Sequence, residues 1–178
     1  MEHLTRTDQV GGDDLTSARL AALLGYWSGK RARGVLPRRG DLDPADLRDL
    51  LPNLMLLDVE SAPPRFRFRL VGTRMVEVLG HDATGLPLED GREGHDLLEP
   101  LRRVVATARP VASLGTLAWS NGGRVDIEWL FLPLGAGGAE VTMILAGADF
   151  FSPSLVWPEG EPLIELAGRP EAAALAVA

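Results

Sequence analysis

The sequence predicts one α+β domain, an antiparallel sheet with helices packed against it. Three observations carry this reading. Two strand patterns lie back to back over residues 54–71, three more follow between 111 and 150, and helical apolar spacing occurs before and between the two groups. A chain of 178 residues supports one complete core and is hardly long enough for two.

The elements follow in order. Residues 1–12 are polar, end in Gly11-Gly12 and read as a mobile leader. Asp13-Asp14 offers acidic caps, and Leu20, Leu23, Leu24 and Trp27 recur at i, i+3, i+4, i+7, which predicts an amphipathic helix. Gly29 and Gly34 end it. Asp43 at an N-cap and Pro44 at the first helical position predict a short helix with Leu47, Leu50 and Leu51 on its buried side, stopped by Pro52.

Leu54 to Val59 reads as a central strand, and Arg65 to Val71 returns after Pro63-Pro64 as its hairpin partner. Alternation places Phe66, Phe68 and Leu70 on the core face and Arg65, Arg67 and Arg69 on the other. These arginines have Asp126 and Glu128 as possible partners on another strand. Thr73 caps a short helix through Met75, Val76 and Leu79, closed by Gly80. Leu97, Leu98, Leu101, Val104, Val105 and Ala108 mark a longer helix ended by Pro110, with Pro100 placing its start near Glu99 or dividing it in two. Strands over Val111–Trp119, Val125–Leu134 and Val141–Phe150 form a meander, with Asn121-Gly122-Gly123 and residues 135–138 as its turns. The domain therefore spans 13–151, followed by a Pro- and Ala-rich tail over 152–178.

Composition narrows the function classes. With 46% hydrophobic and 24% charged residues, and no apolar run of about 20 residues, the chain reads as a soluble protein with no membrane partner. No secretory signal opens it, so a cytoplasmic location is expected. A formal charge of -7 disfavours nucleic acid as a partner. The cluster Lys30, Arg31, Arg33, Arg38 and Arg39 reads as a solvated basic connector.

No cysteine is present, so neither disulfides nor thiolate metal sites form, and the three histidines are too scattered for a metal cluster. Asp126 and Glu128 share a strand face, but nothing converges on them as an acid and base pair, so they read as solvated. No nucleophile elbow, phosphate loop or zinc-protease helix occurs. Enzymatic activity is not expected; a small α+β enzyme is the least favoured reading.

Several segments together carry a resemblance. Tyr26-Trp27, Leu36-Pro37-Arg38, Asp41-Leu42-Asp43-Pro44, Leu50-Leu51-Pro52, Arg69-Leu70-Val71-Gly72-Thr73 and Gly80-His81-Asp82-Ala83-Thr84-Gly85 stand in the order and spacing of stand-alone alphaproteobacterial PAS-like proteins, and residues from about 20 to 150 resemble a PAS domain. The resemblance implies a five-stranded antiparallel sheet, helices on one face and an N-terminal amphipathic helix. It also implies a space that relatives use for haem, flavin or small metabolites, or fill with side chains. The flavin adduct chemistry that needs a cysteine is closed to this chain. A haem would need His81 or, better placed, His95 as its axial ligand. The cofactor stays unassigned.

Two functional readings follow. In the first, a sensor binds a small apolar ligand among Phe68, Leu70, Met75, His95, Leu98, Trp129 and Met143. In the second, the interior is filled and the chain is an interaction module, homodimeric or docked on a signalling protein through Leu20, Leu23, Leu24, Tyr26 and Trp27. The combined expectation is a non-catalytic PAS-like signalling domain with protein partners. Charged residues at Leu23 and Trp27 are then expected to break a dimer and leave a folded monomer.

Overall fold

The computed structural model describes residues 6–9, 15–32, 34–60, 63–88, 97–118 and 124–151. Among these residues seven strands form one antiparallel sheet: β1 (Arg6–Gln9), β2 (Leu54–Glu60), β3 (Arg65–Val71), β4 (Pro87–Leu88), β5 (Val111–Ala118), β6 (Arg124–Leu134) and β7 (Met143–Phe151), in the order β1-β5-β6-β7-β2-β3-β4. The five predicted strands are its centre. The sequence reading missed both edges. β1 pairs with β5 from inside the stretch read as a leader, and two-residue β4 pairs with Phe66 and Arg67. Neither is long enough to carry a readable alternation.

Among the described residues three α-helices accompany the sheet: α1 (Ala18–Lys30), α2 (Thr73–Leu79) and α3 (Leu98–Thr107). Ser17 is the N-cap of α1, with its hydroxyl accepting from Leu20 N at 3.1 Å; Asp13 and Asp14, the expected caps, lie outside the described residues. α2 starts from Gly72 and closes at Gly80, whose φ of 73° is the left-handed conformation that favours glycine. α3 carries Pro100 in its first turn, where a missing N–H costs nothing, so the helix is not divided. The predicted helix after Asp43 is instead a run of tight turns, with Asp46 N to Asp43 O, Leu47 N to Pro44 O and Leu50 N to Leu47 O, passing into a 3₁₀ turn over Leu51–Asn53. Asp43 Oδ1 takes the Ala45 amide at 2.8 Å, as the expected cap does, but the backbone bonds that follow close turns and not a continuous α-helical ladder.

Register assigns the two faces. Leu54 is opposite Gly147 and Leu56 opposite Leu145, while Leu130 and Leu132 face the same two β7 residues from the other side. A Cβ on Gly147 would meet Leu23 at 2.8 Å and Leu20 at 3.1 Å, so this is the face that α1 covers. Met55, Leu57, Ile127, Trp129, Phe131, Ile144 and Ala146 alternate to the inner face, all buried. α3 contacts β5 and β6 and closes it. Burial on both faces explains why β6 reads as an almost continuous apolar run.

Gly147 gives the first test. Gly147→Val forces a branched side chain between the sheet and Leu20 and Leu23, and is expected to cost about 1–3 kcal/mol, measured as a lowered urea midpoint with α1 loosened first.

Candidate functional site

β3 shows how the sequence builds the site and where its alternation fails. Phe66 pairs with Val59 and Phe68 with Leu57 on the inner face, but the register shifts between Leu56 and Leu57, so the next pair is Leu56 with Leu70. Arg69 is the extra residue of a β-bulge. Leu70 therefore changes face: it joins the outer side, 42% exposed, and does not line the inner space with Phe68. The predicted arginine partners also change. Arg67 Nε donates to Glu60 at 2.6 Å and Arg69 Nε to Asp58 at 2.8 Å, both on neighbouring β2. Asp58 raises the Arg69 guanidinium above its ordinary value by hydrogen bond and charge. Exposed pairs of this kind contribute little stability.

The other predicted residues separate likewise. Met75 on α2, Leu98 on α3 and Trp129 on β6 are buried in the same core as Phe68. Trp129 stacks on Phe131 with ring centres 5.9 Å apart and planes 13° from parallel. Met143 alternates with Leu145 and Gly147, which places it half-buried on the outer phase of β7, away from this group. His95 lies outside the described residues. His81 Nδ1 is 3.1 Å from Leu79 O, in the turn after α2.

That turn is built on Asp82. Its Oδ1 accepts the Thr84 amide at 2.9 Å, and hydrogen bonds from the Thr84 side chain and backbone hold the Asp82 carboxyl below its ordinary value. Arg67 Nη1 ties the turn to β3 through Gly85 O at 2.9 Å. A folded value below the unfolded one means that Asp82 stabilises the fold above the unfolded value of about 3.9. The contribution is lost as pH falls through the lower, folded value. Protection of the 81–85 amides, relative to their intrinsic exchange at each pH, is therefore expected to fall in acid, and Asp82→Asn is expected to remove that acid step.

The outer face carries the arrangement that sequence reasoning missed. Glu128, read as solvated, is 1% exposed. Its Oε1 accepts Thr16 N at 2.9 Å and its Oε2 accepts Ser17 N at 2.7 Å, where the start of α1 presents amides without helical partners. Its cross-strand neighbour Asp149 accepts the Ser17 hydroxyl at 2.6 Å. At the other end, Trp27 Nε1 donates to Pro133 O at 2.9 Å and Tyr26 hydroxyl accepts Asp43 N at 2.8 Å. Leu20, Leu23, Leu24 and Trp27, the expected dimer surface, are thus buried against the chain's own sheet, and Tyr26 is half-buried. Helical periodicity gives an apolar face but not the surface that covers it. A serine followed by a glutamate on a distant strand leaves no readable spacing.

This geometry, a central antiparallel sheet with α3 on one face and an N-terminal helix on the other, defines an α+β fold. Residues 15–147 match the PAS domain family, and the chain belongs to it. No curated protein matches the chain. Among solved structures it is similar to an RNA-binding light-oxygen-voltage receptor, at 15% identity and TM-score 0.49 over 83% of this chain, which spans 38% of that one. It is also similar to a light-oxygen-voltage domain solved with a flavin analogue, at 12% identity and TM-score 0.45 over 61% of this chain and 84% of that one. The light-state Aureochrome1 light-oxygen-voltage domain compares at 12% identity and TM-score 0.41, over 63% and 90% of the two chains. Among the described residues no helix is long and apolar enough to cross a membrane, and no group of three or more His, Cys, Asp or Glu side chains is placed to hold a metal ion.

Proposed function

We propose that the chain is a non-catalytic sensory module that acts by contact with another protein. The observation that carries this reading is the double use of β6. Trp129 and Phe131 face inward while Glu128 and Leu130 face α1 from the same strand. A change in how the inner space is filled moves β6, and α1 is bonded to that strand through both Glu128 and Pro133. A ligand that favours one of two arrangements shifts the population between them and so reaches the outer face.

In this reading a small apolar ligand sits among Phe68, Met75, Leu98 and Trp129. The signal leaves through a second copy or a separate signalling protein. Because the apolar face of α1 is occupied in this arrangement, a partner engages either the outer surface of the helix or the face exposed when α1 lifts.

Native mass spectrometry on the purified full chain, with an absorption spectrum from about 300 to about 600 nm where haem and flavin absorb, tests the proposal. The expected result is a dimer carrying a small organic mass and no cofactor band. A stoichiometric haem or flavin would replace this reading with a cofactor-based sensor. A monomer with no bound mass and no dimerising condition would remove the homodimer and the ligand together.

A further inference from the structure

An apolar cleft lies on the outer face of the sheet. The turns over residues 39–51 arch over β2, β3 and β7 and leave a half-open cleft of about 50 Å³ lined by seven leucines, one proline and one arginine. Leu54, Leu56 and Leu145 form its floor, and the face-switched Leu70 and the 38% exposed Leu51 form its wall. Two of the large apolar side chains this domain exposes therefore converge on one cleft.

Arg39 is its polar group. Its Nη1 donates to Leu42 O at 3.2 Å, which holds the side chain at the cleft. Among the described residues no carboxylate pairs with this guanidinium, in contrast to Arg67 and Arg69. A guanidinium has five N–H donors in a planar fork, so one backbone contact leaves an edge able to grip a carboxylate with two parallel bonds.

We propose that this cleft binds a short aliphatic carboxylate, with its chain among the leucines and its carboxylate on Arg39. The size sets the ligand class. The space amounts to on the order of four water-sized volumes, enough for about four or five carbons. A protein partner would need roughly 800 Å² of its surface covered, far more than this cleft offers. A purely apolar guest would leave the Arg39 edge unused. The site lies on the opposite face from the inner space proposed above and stands whether or not that space is occupied. Its cover is tied to α1: Asp43 N bonds Tyr26 hydroxyl, and Lys30 Nζ lies 4.0 Å from Asp46 Oδ2. Occupancy of the cleft thus bears on the end of α1 remote from Glu128.

The test uses the full chain with ¹³C-labelled leucine methyl groups, titrated with pentanoate, pentan-1-ol and pentylamine. Pentanoate is expected to shift the Leu42, Leu47, Leu51 and Leu70 methyls in a saturable way and to bind about three- to fivefold more tightly than the alcohol or the amine, the range of an exposed charge-assisted pair. Arg39→Gln, an exposed change whose folding the same spectrum reports, is expected to abolish that preference. Three results would overturn the proposal: no saturable shift with pentanoate, equal response to all three probes, or a preference that survives Arg39→Gln. Shifts confined to Leu98 and Leu101 would also overturn it, while leaving the inner-face ligand of the proposed function intact.

Discussion

Trp27→Ala lowers the stability of the domain by about 3–5 kcal/mol, the range for removing a large buried aromatic side chain. The indole is 2% exposed, and its Nε1 donates to Pro133 O on β6 at 2.9 Å. Alanine therefore leaves a cavity under α1 and strips a buried carbonyl of its donor. Arg31, whose guanidinium carbon sits 5.5 Å from the ring centre, loses its aromatic platform as well. Urea unfolding followed by far-UV circular dichroism reads the effect as a large fall in midpoint. The same reasoning reverses the expectation drawn from periodicity alone. Leu23→Asp places a charge against Gly147 in the core, so it unfolds the chain instead of yielding a folded monomer. A Trp27→Ala protein with an unchanged midpoint and a lost dimer would restore the dimer-surface reading.

Glu128→Ala lowers stability by about 2–3 kcal/mol, because hydrogen bonds to a buried charged group are worth more than neutral ones. The substitution removes the acceptor of both Thr16 N and Ser17 N and leaves Asp149 to hold the start of α1 through the Ser17 hydroxyl alone. Glu128→Gln retains one carbonyl acceptor and is expected to lose less than half as much. Both variants are uncharged, but glutamine keeps the volume of glutamate while replacing one acceptor oxygen with an NH₂ group, so its own loss separates the clamp from simple packing. Thermal unfolding of the pair checks it: a Glu128→Gln protein as stable as the wild type would mean that side-chain volume, not acceptance of the helix amides, matters at this position.

Much of the fold was legible because it rests on periodicities that the chain displays openly. The α1 face, the five central strands and the glycine closing α2 follow from spacing and backbone freedom. What was hidden depends on distance along the chain. A single bulge at Arg69 reverses the side of Leu70, and nothing within Arg65–Val71 marks it. Glu128 looks like any polar residue of a half-exposed strand until a helix more than 100 positions earlier lays its first amides on it, Ser17 and Glu128 being 111 residues apart. The face of Met143 was hidden for a similar reason, since only pairing with Asp58 and Leu134 fixes its phase.

The central claim is that α1 is a layer of the domain, clamped to the sheet and shifted through it. Hydrogen–deuterium exchange on the full chain, wild type and Gly147→Val, tests this most directly. In the wild type the amides of Leu23–Lys30 should exchange as slowly as those of β6 and β7. In Gly147→Val they should accelerate while the β5–β6 amides stay protected. An isolated helix of 13 residues is only marginally stable in water. Loss of wild-type α1 protection within seconds, or an α1 indifferent to Gly147→Val, would contradict the account.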